Sequence, residues 1–210
     1  MVASAAKEKL DRLRQEAAQC RACPLWAAAT QTVFGEGPAD ASIVFVGEQP
    51  GDQEDLTGRP FVGPAGRLFD RALGEAGLDR SQVYVANAVK HFKFAQRGKK
   101  RLHKRPNAAE IRVCRRWLLA EIEALEPRVI VALGATATHS LAERPLPVGA
   151  NRGKVVELPS GLRIFATIHP SYLLRVPDEA ARHAEYDHFV RDLRAVRRLS
   201  GDVVKSVRGH

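Results

Sequence analysis

The chain has 210 residues, 45% of them hydrophobic, a length that fits one domain with a real core. No apolar run approaches the ~20 residues that span a bilayer, and the amphipathic start lacks a secretory apolar region, which points to a cytosolic protein with no membrane partner. The net charge of +9 favours a polyanionic partner, because Lys and Arg gain by releasing counterions from phosphates.

Leu10, Leu13 and Ala17 at helical spacing predict a helix over residues 5–19, ended by the turn Cys20-Arg21-Ala22-Cys23-Pro24. Residues 42–46 read as a buried strand. The loop after it, Gly47-Glu48-Gln49-Pro50-Gly51 and then Gly58-Arg59-Pro60-Phe61-Val62-Gly63, is dense in Gly and Pro. Those residues fix unusual backbone angles and let a ligand come close. A carboxylate, an amide and a phenyl ring at the carboxyl end of a strand make a candidate site. Neither GxGxxG nor GxxxxGK[ST] is present. A helix is expected over residues 64–76 and a strand over 83–89, leading into Lys90. Residues 90–105 hold eight Lys and Arg and no acid, with His91, Phe92, Phe94 and His103 interleaved; they read as a nucleic-acid-facing loop. Pro106-Asn107 opens a long helix to about residue 126 that carries Cys114. Residues 128–133 form a buried strand that Gly134 ends, and a helix follows to residue 142. Residues 155–158 and 163–168 pair as strands and lead into His169-Pro170-Ser171. A last helix covers residues 179–199, and residues 200–210 read as a frayed tail.

Strands alternating with helices, each buried strand a near-continuous apolar run, indicate an α/β fold: one domain over residues 1–210, with a central, mainly parallel four-stranded sheet flanked by helices. The strand ends bring Glu48, Gln49, Asn87 and His169 toward one edge, where ligands bind in such sheets. The Cys20-x-x-Cys23 pair follows a helix, which argues against a redox dithiol. With Cys114 as the third cysteine, His91 is the natural fourth ligand. Three thiolates and one imidazole suit either zinc or an iron–sulfur cluster, and three inert thiols are the alternative. Asp52 and Asp55 read as polar loop residues.

Taken together, these residues resemble the uracil-DNA glycosylase superfamily, specifically its iron–sulfur branch, family four, and within it the UdgX subgroup. The resemblance runs from Cys20 to the helix after His169. It rests on Cys20-x-x-Cys23, Gly47-Glu48-Gln49-Pro50-Gly51, Asn87-Ala88-Val89-Lys90 and His169-Pro170-Ser171, in that order. Lys99-Lys100-Arg101-Leu102-His103 is similar to the subgroup's basic insertion, Lys-Arg-Arg-Ile-His, with conservative departures at Lys100 and Leu102. Gln49 stands where ordinary family-four enzymes have Ala, and His91 where they have Cys.

The resemblance implies a [4Fe–4S] cluster held by Cys20, Cys23, His91 and Cys114 in a structural role. It implies an enzyme that excises uracil from DNA, single strands included; nothing in the sequence demands more than a monomer. Phe61 would stack on the base, Asn87 would read its pairing edge, and His169 would donate to its oxygen, within a loop shaped by Gly47 and Gly51. Lys99, Lys100, Arg101 and Ser171 would contact DNA. Glu48 and Gln49 would orient His103, which would attack C1′ and leave an irreversible protein–DNA link after a single turnover. The competing expectations are a multi-turnover glycosylase in which His103 only steers DNA, and a non-catalytic iron–sulfur DNA-binding module.

Overall fold

The computed structural model describes residues 2–143 and 146–207. Its strands are β1 (Ile43–Gly47), β2 (Tyr84–Asn87), β3 (Phe94–Arg97), β4 (Lys100–His103), β5 (Val129–Leu133), β6 (Lys154–Glu157) and β7 (Arg163–Thr167). Its helices are α1 (Val2–Ala18), α2 (Asp52–Thr57), α3 (Pro64–Ala76), α4 (Ala108–Leu125), α5 (Gly134–Ala142), α6 (Val148–Asn151), α7 (Pro170–Leu173) and α8 (Glu179–Val207).

The central sheet has the order β2-β1-β5-β7-β6, with β1, β2, β5 and β7 parallel and β6 antiparallel to β7. It therefore has five strands rather than the expected four. β6 is short and mostly exposed, and it lies on the open edge where only β7 can pair with it. Side chains alternate across the sheet, so each parallel strand feeds two cores. Val44 and Val46 of β1 and Ile130 and Ala132 of β5 join the core under α1, α4 and α5. Ile43, Phe45, Val129, Val131 and Leu133 join the core under α3 and α8. Burial on both faces explains why these strands read as unbroken apolar runs.

The expected helices hold, and α3 matches residue for residue. Pro64 fits the first helical turn, where no amide donor is needed, and Gly77 beyond the end takes the left-handed conformation at φ 73. Two expectations change. Residues 200–207 continue α8 instead of fraying, while residues 208–210 lie outside the described residues. Residues 94–103 form the β3–β4 hairpin rather than an open loop. Among the described residues, no helix is long and apolar enough to cross a membrane.

The chain crosses from β2 on one side of β1 to β5 on the other. The carboxyl ends of β1, β2, β5 and β7 thus meet at a point where connections diverge, which opens a crevice.

Candidate active site

A cleft of about 970 Å³ occupies that crevice. Strand ends supply its floor: Glu48 after β1, Asn87 on β2, Leu133 and Gly134 after β5, and Ile168 and His169 after β7. Two amide bonds beyond the ladder, Ala88 N to Gly47 O and Val89 N to Glu48 O, both 3.0 Å, keep the first two strand ends in register.

Gly47 is needed for close approach, since a Cβ there would stand 2.5 Å from Asn87 Oδ1 and 2.8 Å from the Phe61 ring. Phe61 sits at φ 59, a conformation that costs a bulky residue about 1–3 kcal/mol. Its ring packs 5.3 Å from Phe69 and 6.1 Å from His169. The strain is held by Glu54, whose carboxylate accepts from Gly63 N at 2.7 Å and Gly51 N at 3.1 Å and so ties both ends of the loop together. Asn87 is buried at the cleft, and its side-chain amide makes no hydrogen bond among the described residues. It is open to a base.

His169 receives the Ser171 amide on Nδ1 at 3.1 Å, so the proton of the neutral ring sits on Nε2. Burial, aided by the charges of Arg175 and His103, pushes its pKa down to about 4. The ring is a neutral donor at physiological pH. Ser171, expected to contact DNA, holds this histidine through both its amide and its hydroxyl, the latter 2.8 Å from Nδ1.

His103 arrives on the hairpin. Gly98, at φ 58, opens the tight turn, and Phe94 faces His103 across the ladder. Phe92 and Phe94 stack at 5.1 Å with the Arg101 guanidinium over both. Arg101 is not a free phosphate clamp: it pairs with Asp55 at 2.6 Å and Asp52 at 2.5 Å. Asp55 is fully buried, not the polar loop residue expected, and anchors the hairpin through this pair. Lys99 and Lys100 remain exposed at the hairpin tip.

Gln49 clamps the hairpin's base. Its Oε1 accepts from Lys93 N at 3.2 Å, which turns its NH2 toward Lys93 O (3.2 Å), Lys104 O (3.0 Å) and His103 Nε2 (2.9 Å). His103 Nε2 is therefore the acceptor in the neutral ring and carries the lone pair. Burial lowers the His103 pKa; Glu48 raises it, and Arg175 and Arg105 lower it again, for a net value below the ordinary one. Glu48 Oε1 stands 3.5 Å from Nε2. Its Oε2 accepts from Thr136 Oγ1 at 2.5 Å and lies 3.8 Å from Arg105. Sequence reasoning missed Thr136 and Glu54, and read Arg105 only as one cation of the basic stretch. Thr136 had a signal, three residues past the end of an apolar strand.

The cysteines are free and gather under α4. Burial drives Cys114 up to about 11, against the pull of Lys90 and its amide, which donates to Sγ at 3.2 Å. Burial would also raise Cys20, but hydrogen bonds from the Ala22 backbone, Trp117 and Arg116 outweigh it and lower this thiol. Donors of this kind suit thiolates in a metal centre. His91 fits as well. The single Thr32 hydroxyl proton goes to Ala17 O at 3.0 Å, so its oxygen accepts from His91 Nε2 at 2.9 Å, leaving Nδ1 as a lone-pair donor. Burial keeps that ring neutral. Among the described residues, no three such side chains stand close enough to hold one ion. Three thiols and an imidazole are a donor set that both zinc sites and iron–sulfur clusters use.

A model of the uracil DNA glycosylase superfamily matches residues 34–194. The type-4 uracil-DNA glycosylase of Thermotoga maritima is 42% identical over 170 residues, 80% of this chain and 85% of that protein. That of Archaeoglobus fulgidus is 36% identical over 177 residues, 81% and 85% of the two chains. The type-5 uracil-DNA glycosylase of Thermus thermophilus is 34% identical over 164 residues, 70% and 71%.

Proposed function

The chain belongs to the uracil DNA glycosylase superfamily, and on that premise we propose that it excises uracil from DNA and then stays bonded to the abasic sugar through His103. The observation that carries this reading is His103 Nε2 between Gln49 and Glu48, in the same cleft as Phe61, Asn87 and His169. The substrate is uracil-bearing DNA, single strands included, taken by a monomer in the cytoplasm.

Extruding the nucleotide brings the base into the cleft, against the Phe61 ring, with its pairing edge toward Asn87. As the C1′–N1 bond breaks, its electron pair passes to the base. His169 Nε2–H meets the uracil oxygen where that charge collects, donating a hydrogen bond without giving up its proton. The sugar becomes an oxocarbenium ion, which the Glu48 carboxylate stabilises. The Nε2 lone pair of His103 then forms the bond to C1′. No proton has to leave His103 first, because its hydrogen is on Nδ1. Gln49 can release Nε2 readily, since Lys93 O and Lys104 O, at 3.2 and 3.0 Å, are alternative acceptors for its hydrogens. The resulting imidazolium lies beside Glu48. Uracil anion takes its proton from water.

Cys20, Cys23, His91 and Cys114 would hold a [4Fe–4S] cluster, which would supply a rigid cross-link between α1, α4 and the start of the hairpin and no step of the reaction.

Incubation with uracil-bearing single-stranded DNA should give a protein–DNA species that survives boiling in detergent. His103→Ser should form none; an unchanged yield refutes the nucleophile. The second reading, ordinary turnover, is favoured by the type-4 relatives, which match most of the chain. Its mark would be uracil released beyond one equivalent of protein.

A further inference from the structure

Outside the cleft, a groove of about 440 Å³ runs between α3, α7 and α8. Its walls carry Arg67 and Arg71 from α3 and Arg182, His183 and Tyr186 from α8, and no acidic side chain lines it. Arg71 is fixed by Tyr186, donating to its hydroxyl at 3.0 Å and lying over its ring at 4.5 Å. Arg67 donates to Val62 O at 3.2 Å, and Arg182 to Val176 O at 3.4 Å. Each tether uses one nitrogen and leaves the rest of the guanidinium open. Arg67 and Arg182 make no ion pair among the described residues, while Arg71 Nε lies 3.9 Å from Glu75 Oε1.

Leu174, 49% exposed, lines both this groove and the cleft, so the two are continuous over a single lip. A strand that leaves the cleft across Leu174 enters a channel lined by guanidinium groups. A positively charged groove of this kind tracks a single-stranded backbone without reading its sequence. Arg101 cannot serve in this way, being spent on Asp52 and Asp55. We propose that the groove binds the backbone phosphates of the DNA strand flanking the uracil nucleotide. The proposal rests on the glycosylase reading for its ligand, but its test does not.

The test is the salt dependence of binding to a long uracil-free single strand, for the protein and for Arg67→Gln/Arg182→Gln. Both substitutions are on the surface and leave the core intact. Losing two phosphate contacts should reduce the slope of log K against log salt by roughly 1.4, at about 0.7 per single-strand phosphate. Lys7→Gln/Arg12→Gln, which removes the same charge from α1, should leave the slope within roughly 0.3 of the parent, since only bound phosphates enter it. Equal slope losses in both variants would overturn the groove, because net charge would explain them. An unchanged slope with a thermal shift by inorganic phosphate that the groove variant loses would also overturn it, assigning the groove to a free anion. On uracil-bearing substrates, the groove variant should slow release from a long strand and spare a uracil-centred trinucleotide. If the parent releases no uracil while the slope change is seen, the glycosylase reading falls and the groove stands.

Discussion

Glu121→Ala tests the buried network behind the cleft. Glu121 is fully buried and pairs with Lys90, which is 1% exposed. Its Oε1 also accepts from Gly35 N at 2.8 Å and Tyr84 Oη at 3.0 Å, and Lys90 Nζ donates on to Asn87 O at 2.9 Å. Removing the carboxylate strands an ammonium where water cannot reach, at about 3–5 kcal/mol. Each neutral donor left unpaired adds about 1–3 kcal/mol, less what water entering the vacated space returns. A total near 5 kcal/mol is a large share of the roughly 5–15 kcal/mol that holds a domain folded. At about 2–4 °C per kcal/mol for a chain of this size, the melting temperature should fall by roughly 10–20 °C. Urea unfolding followed by tryptophan fluorescence gives the free energy. Lys90→Met/Glu121→Leu should cost less than Glu121→Ala alone, since no charge is left uncompensated. A loss below about 1 kcal/mol for the single variant, or a double variant equal to the sum of the singles, refutes the reasoning.

The remaining expectations concern the site. Adduct formation needs neutral His103, whose pKa is held below the usual value, so the rate should be flat near neutrality and fall as pH drops through that lowered value. Arg175→Gln removes a charge that lowers it and should move the acidic limb to higher pH; a limb that stays or moves down counts against the assignment. Gln49→Ala frees the hairpin's base and should slow adduct formation about tenfold, the worth of roughly 1.4 kcal/mol, with uracil release nearly unchanged in a rapid-quench assay. Equal loss of both steps would contradict its role as a clamp on His103. Thr32→Val removes the acceptor that fixes His91 and should lower iron content and visible absorption, with Thr32→Ser restoring both. Full iron content in the Val variant would separate Thr32 from the centre.

Much of the frame was legible because its signals are local. Apolar runs gave the parallel strands, and Pro64 with Gly77 bounded α3 to the residue. The strand-end rule brought Glu48, Asn87 and His169 to one crevice. The hairpin was not legible, because it is held by partners far away in the chain. Arg101 lies 46 residues from Asp55, and nothing beside either residue announces the pair. A cation in a basic stretch reads as a DNA contact until its carboxylate is found. Ser171 has a role that the sequence did not announce: its amide sets the tautomer of the neighbouring histidine.

The contacts that favour attack by His103 also oppose release. Freeing the sugar would require water at C1′ and a carboxylate free to take its proton. Glu48 is the nearest carboxylate, but Oε2 is held by Thr136 and faces Arg105, while Oε1 faces Nε2. Once Nε2 is alkylated, the imidazolium draws Oε1 closer and makes it a weaker base. The hairpin cannot easily withdraw, because Gln49 grips both its ends and Arg101 is bound to a fully buried Asp55. The proposed single-turnover outcome would rest on two features acting together. One is a nucleophile whose proton already sits on the far nitrogen; the other is a carboxylate whose Oε2 is held by Thr136 and whose Oε1 faces the attacking nitrogen.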